Sequence, residues 1–280
     1  MREINTSDIT QTIKKLCISA NCQLPDDIKS ALNSAVNNEE SEIGKNVLNT
    51  IISNYQIAEE ENVAICQDTG MVVVFCEVGQ DVHFTGGSLE EAINKGAREA
   101  YKEGYYRNSI VNDPLIRNNT GDNTPVIIYY DIVHGDKVKI TIVPKGFGSE
   151  NASAVKMLKP SDGIEGIIRF VVGTVENAGA NPCPPIIVGV GIGGTIEKSA
   201  MLAKKALMRS VDSESEQEHI AKIEKVLLEL INGLGIGPQG LGGRVTALKV
   251  NIETYPTHIA GLPVAVNIGC HVNRHATIEL

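Results

Sequence analysis

No run of apolar residues in this sequence approaches the roughly 20 needed to cross a bilayer as a helix, which excludes a membrane-spanning protein of that kind. Tryptophan is absent and aromatic residues make up only 4%, yet hydrophobic residues reach 42% and charged residues 21% of the 280 positions. That balance belongs to an ordinary globular chain and not to a disordered one. Excess positive charge is also lacking: 25 Lys and Arg stand against 34 Asp and Glu, a formal net charge of -9. A general nucleic-acid or anionic-membrane surface needs clustered basic residues, so neither partner is expected. An anionic substrate would need a local basic pocket instead. The N-terminal stretch MREINTSDITQTIKKL carries no apolar core followed by a cleavage site, so it does not have the form of a secretory signal and the expected place is the cytoplasm.

There is no internal repeat, low-complexity tract or long linker that would cut the chain in two. There is also no Cys-x-x-Cys pair, and the six cysteines are spread from Cys17 to Cys270. A chain of this length buries a sizeable core without staples, and in a reducing compartment such cysteines remain thiols or become metal ligands.

Apolar spacing predicts a helical lead-in over residues 1–62. One helix runs from Ser7 to Ala20 with Ile9, Ile13, Leu16 and Cys17 on one stripe, a second follows Pro25 with Ile28, Leu32 and Val36, and a third spans about Ser41 to Glu61. From Val63 to residue 280 the texture is α/β. VAIC and MVVVFCEV read as strands around a Gln67-Asp68-Thr69-Gly70 turn, and Ser88 to Tyr105 as a helix. VIIYYDIV and VKITIVP read as a hairpin across HGDK, with the second strand running into Lys145-Gly146-Phe147-Gly148-Ser149. Helices are expected over Asp162–Ala178, Ile196–Arg209 and Ser213–Asn232, the last with a capping-box pattern at Ser213 and Glu216. Strands are expected at Ile186–Val190, VTALKVNIE and LPVAVNI. The fold class is therefore α/β, a mixed sheet with antiparallel pairs behind a helical N-terminal lead-in.

Cys66, Cys183 and Cys270 each sit where a strand-like run meets a loop. Three such thiols could converge on one site, and a cubane held by only three thiolates keeps one iron open to substrate. Alternatively they are ordinary loop thiols, and spacing does not decide between the two. Cys17 on a helix stripe and Cys76 in a strand read as small buried hydrophobes, and the Cys17–Cys22 interval as incidental. Gly189, Gly191 and Gly194 satisfy GxGxxG between a strand and a helix, the form of a dinucleotide-binding turn in an NAD-dependent dehydrogenase. The next segment, however, is a second helix rather than the strand that should end in a ribose-binding acid. The glycines could equally allow close backbone approach. Arg107, Lys145, Arg244 and Arg274 are cations near loops, and Arg clamps carboxylates with a planar fork. His258, His271 and His275 lie near Cys270, and Asp68 beside Cys66 is either a proton-handling group or a turn cap.

The strings CQDTG (66–70), KGFGSEN (145–151), NPCPP (181–185), GVGIGGT (189–195), LGIGPQGLGG and NIGCHVNRHA together resemble the class I, iron–sulfur fumarate hydratase family, in order and over residue 40 to the end. The resemblance is to the separate alpha subunit of the two-subunit form. It implies a hydro-lyase carrying one 4Fe-4S cluster on Cys66, Cys183 and Cys270. It further implies that Gln67, Arg107 and a backbone donor at Gly148 bind a small dicarboxylate, and that Asp68 and His258 serve catalysis. Ten residues follow Cys270, and the resemblance implies that a beta subunit completes the site, in a hetero-oligomer of two alpha and two beta chains. The related alpha subunit of L-tartrate dehydratase shares CQDTG and GIGPQGL, whereas KGFGSEN and NIGCHVNRHA look like the fumarase type. A non-catalytic iron–sulfur carrier is the remaining alternative.

Overall fold

Two hydrophobic cores organise the chain, and both are assembled from stretches far apart in sequence. The computed structural model describes all of residues 1–280, and they form two compact units. One comprises Met1–Pro25, Asn54–Phe147 and Arg274–Leu280, and the other Asp26–Ser53 and Gly148–Asn273. The fold is mixed α/β.

The first unit holds β1 (Arg2–Asn5), α1 (Thr6–Cys22), β2 (Met71–Gly79), β3 (Val82–Thr85), α4 (Leu89–Glu103), β4 (Ile127–Val133), β5 (Val138–Lys145) and β10 (Ala276–Glu279). Asn5 caps α1 by accepting from the Ser7 N–H at 2.9 Å, and Ser88 does the same for α4 through the Glu91 N–H at 3.3 Å. The sheet order is β10-β5-β2-β4, with β2 antiparallel to β5 and parallel to β4, and β1 and β3 form a separate parallel pair. Alternate residues of β2 (Val72, Val74, Cys76) and β5 (Val138, Ile140, Ile142) share a core with Ile9, Ile13 and Cys17 of α1 and Ile93, Ala97 and Tyr101 of α4. A period of two in the strands thus meets a period near 3.6 in the helices.

The second unit holds α2 (Asp26–Asn38), α5 (Phe147–Glu150, whose first residue belongs to the first unit), β6 (Ala154–Leu158), α6 (Gly163–Ala178), β7 (Ile186–Gly193), α7 (Ile196–Ala206), α8 (Glu218–Asn232), β8 (Ala247–Tyr255) and β9 (Leu262–Gly269). Helix α3 (Glu42–Glu61) passes from this unit to the other after Ser53. The sheet order is β6-β9-β7-β8, parallel only between β7 and β8. Ile186, Val188 and Val190 face the core made by α6 and α8, with Val171, Val175, Leu227 and Ile231. The intervening Gly189 and Gly191 lie against α7: a Cβ on Gly189 would sit 2.1 Å from the Ala203 carbonyl oxygen, and one on Gly191 2.0 Å from that of Ser199. Gly189 and Gly191 of the GxGxxG string are therefore explained by packing of a helix backbone onto a strand.

Glu39, only 2% exposed, fastens the entry to β8. Its carboxylate accepts from the backbone N–H groups of Glu40, Ser41 and Arg244 at 2.8–2.9 Å and of Val245 at 2.7 Å. Burial pushes its pKa up, but these four donations outweigh it and hold the group below the usual carboxylate value. Between α7 and α8, Arg209 pairs with the buried Glu224, which also accepts from the Ile252 N–H at 2.8 Å.

Three sequence expectations are corrected. β4 and β5 are not a hairpin, because β2 lies between them and pairs with both. Residues 63–66 form no strand; Cys66 lies in a loop fastened by side chains. Helix α8 begins at Glu218 after Gln217, not at a Ser213 capping box, since the Ser213 hydroxyl donates to the Ser210 carbonyl at 2.6 Å. Strands β1, β3, β6 and β10, each of four or five residues, were not anticipated from the sequence pattern.

Candidate active site

In the first unit, the turn Cys66–Gly70 connects α3 to β2 and is held from every side by backbone-directed hydrogen bonds. Asp68 Oδ1 accepts from the Gly70 N–H at 3.0 Å, closing a local Asx-type turn. Gly70 has φ 74°, and a Cβ there would lie 2.6 Å from the Lys145 carbonyl. Only glycine lets the CQDTG turn approach the start of KGFG so closely. Asp68 Oδ2 then accepts from the Phe147 N–H at 2.8 Å, tying the two strings together. The Tyr101 hydroxyl donates to the carbonyl of Thr69 at 2.5 Å, and Asn123 Nδ2 to that of Gly70 at 3.0 Å. Burial raises the Tyr101 phenol well above its ordinary pKa, so it stays a donor. Thr69 Oγ1 donates to the Arg107 carbonyl at 3.2 Å.

The side chains of this turn are graded in exposure: Thr69 is buried, Cys66 and Asp68 are half-buried, and Gln67 is exposed, as is Arg107. Cys66, Gln67 and Arg107 line one cleft of about 950 Å³ together with Tyr105 and Tyr106. A thiol, an amide and a guanidinium therefore face a common space, a combination able to place a soft metal ligand beside a carboxylate-binding fork.

In the second unit, the NPCPP, GPQG and GCH turns are fastened to one another. Cys183 adopts φ 55°, and its carbonyl accepts from the His271 N–H at 3.3 Å while lying 3.0 Å from His271 Nδ1. The Pro184 carbonyl accepts from both the backbone N–H and Nε2 of Gln239, each at 2.8 Å, and Gln239 Nε2 is 3.2 Å from His271 Nδ1. Cys183 is exposed, and Cys270, half-buried, immediately precedes His271. Gly148 and Asn181 line a second cavity of about 950 Å³, also bordered by Asn151, Lys156 and Arg169. His258 is exposed in the loop between β8 and β9. Its Nδ1 accepts from the Ala260 N–H at 3.2 Å, which leaves Nε2 to meet any other partner.

The six thiols divide into two sets. Cys17, Cys22 and Cys76 are at most 1% exposed; burial pushes Cys17 up to about 12 and Cys76 up to about 11, which keeps both protonated and unfit as ligands. Cys66, Cys183 and Cys270 sit in turns and reach the surface. No three His, Cys, Asp or Glu side chains gather as a site for a single metal ion. Thiolates presented from turns are of the kind that ligate iron–sulfur clusters.

The structure thus brings Cys66, Gln67, Asp68 and Arg107 together in one unit, and Cys183 and Cys270 together, with Gly148 beside the NPCPP turn, in the other. The roles of Tyr101, Asn123 and Gln239 in fixing these turns had no sequence signal. Tyr101 occupies an apolar helix stripe like any core residue, and only the distant carbonyls it meets distinguish it.

Comparison with known proteins returns one family model, fumarate hydratase (fumerase), matching residues 10–279. A protein of Methanocaldococcus jannaschii, provisionally named L(+)-tartrate dehydratase subunit alpha, is 47% identical over 274 residues, 96% of this chain and 96% of that protein. The L(+)-tartrate dehydratase subunits alpha of Escherichia coli K12 and Shigella sonnei are each 32% identical over 273 residues, covering 96% of this chain and 90% of theirs.

Proposed function

We propose, from the premise that the chain belongs to the fumarate hydratase family of hydro-lyases, that it is the cluster-bearing alpha subunit of a two-subunit enzyme that reversibly hydrates fumarate to (S)-malate. The observation that supports this most is the cleft shared by Cys66, Gln67 and Arg107. Cys66, Cys183 and Cys270 are assigned as the thiolates holding one 4Fe-4S cluster. When bound on three thiolates, such a cluster supplies an open iron that acts as a Lewis acid toward the oxygens of the substrate.

The chain's own residues do the rest of its share. Arg107 binds a substrate carboxylate through its planar fork, and Gln67, exposed beside it in the same cleft, donates from its amide. The Gly148 N–H provides a backbone donor, which needs no reorganisation as charge develops. Asp68 holds the CQDTG turn against KGFG through its two backbone acceptances, and a carboxylate so used keeps acceptor capacity for a substrate proton. His258, whose Nδ1 is taken up by the Ala260 N–H, can hold or hand over a proton at Nε2. A beta subunit supplies further cations and the base at the adjacent carbon, in an assembly of two alpha and two beta chains in the cytoplasm.

A second reading, dehydration of L-tartrate, is favoured by the names of the relatives. Both substrates are four-carbon dicarboxylates, and the chemistry assigned to the residues is the same for either. The test is an anaerobic assay of the reconstituted chain with its beta partner on both substrates. Fumarate is expected to give the larger kcat/KM by roughly tenfold or more; a preference for L-tartrate would transfer the assignment to the second reading, and turnover of neither would end both.

A further inference from the structure

Arg274 is only 3% exposed and carries a planar guanidinium with five N–H donors and no acceptor. Its guanidinium has no carboxylate partner. Nη2 donates to the backbone carbonyl of Asp68 and Nε to that of Pro144 at 3.4 Å, while Nη1 is buried without a hydrogen-bond partner. A charge taken out of water and met only by neutral carbonyls returns little stability, and an apolar side chain of similar volume would pack at lower cost. An arrangement so expensive for the fold points to a use.

The two carbonyls identify that use. Asp68 belongs to the CQDTG turn, and Pro144 directly precedes KGFG. On the other side, the same two strings are joined by the Asp68 carboxylate and the Phe147 N–H at 2.8 Å. A planar fork spans two acceptors in fixed geometry, which a single ammonium does not.

We propose that Arg274 is a positioning residue: it locks the Cys66–Gly70 turn against the KGFG segment and so sets where Cys66 and Gln67 stand for the reaction. This rests on the hydro-lyase reading above. The experiment compares the wild-type complex with its beta partner against Arg274→Met and Arg274→Lys. It measures kcat and KM separately, iron bound per chain, and hydrogen exchange of peptides covering residues 66–71 and 145–150.

Arg274→Met is expected to lower kcat by about 100-fold while KM changes by less than about threefold, the scale of a small misplacement in a site. Arg274→Lys, able to reach one carbonyl at a time, should recover about a tenth of the wild-type kcat. In both variants exchange should quicken at the amides of Gly70 and Phe147 with iron content retained. A kcat of Arg274→Met within about twofold of wild type, or unchanged exchange in the two peptides, would overturn the proposal. Should Arg274→Met unfold the unit, Arg274→Lys decides: exchange quickened only in the two peptides supports positioning, and exchange quickened throughout the unit reduces Arg274 to a fold residue. If the wild-type complex acts on neither substrate, the functional reading fails by itself, and the exchange data still report whether Arg274 locks the turn.

Discussion

Glu39 shows how a single buried carboxylate can be kept ionised by backbone alone. Its folded pKa lies below the usual carboxylate value because four N–H donations outweigh the cost of burial. A depressed folded pKa contributes stability that is fully present above the unfolded value, about 4.3, and is lost as pH falls through the folded one. Glu39→Gln should therefore lose on the order of 2–4 kcal/mol at neutral pH and show a flatter decline in melting temperature below pH about 4 than the wild type. Equal steepness in both proteins would remove Glu39 from the acid transition. At the same scale, Cys66→Ser, Cys183→Ser and Cys270→Ser should each lose cluster absorbance after anaerobic reconstitution, while Cys17→Ser should keep it; an unaffected cluster in one of the first three removes that thiol from the ligand set. The sequence already separated the loop cysteines Cys66, Cys183 and Cys270 from Cys17 on a helix stripe and Cys76 in a strand, and burial divides these five along the same line. Arg274 was legible only as one cation among four, because the carbonyls that bury it lie 206 and 130 residues away.

Among the elements, long amphipathic helices were readable from spacing because burying one face dictates their pattern. α1, α2, α3 and α6 fall within a few residues of the spans that the apolar spacing predicts. Strand partnership was not readable. β4 and β5 are joined by a short loop, yet each pairs with β2, and nothing local in IIYYDIV or VKITIVPK encodes a third strand inserted between them. The glycine string before α7 tests the difference between motif and packing. Gly191→Ala would press a methyl group against the Ser199 carbonyl and should destabilise the protein by roughly 1–3 kcal/mol. Titration with NAD should show no binding before or after the change; NAD binding by the wild type that Gly191→Ala abolishes would restore the dinucleotide reading.

At the scale of the whole molecule, no linker was visible in the sequence, and the reason is that both units are discontinuous: the chain leaves the first at Pro25, returns at Asn54, leaves again after Phe147 and comes back at Arg274. The strings that carry the candidate chemistry fall in both, with CQDTG in one and NPCPP and the Cys270 turn in the other. The subunit names of the relatives motivate the proposal that this chain supplies half of a hydro-lyase site. The direct measurement is anaerobic turnover of fumarate and L-tartrate by the reconstituted chain alone, by the beta partner alone and by the two combined. A bound cluster but little or no turnover is expected for the chain alone, none for the partner, and full activity only for the pair; full turnover by the chain alone would overturn the division of the site between two subunits.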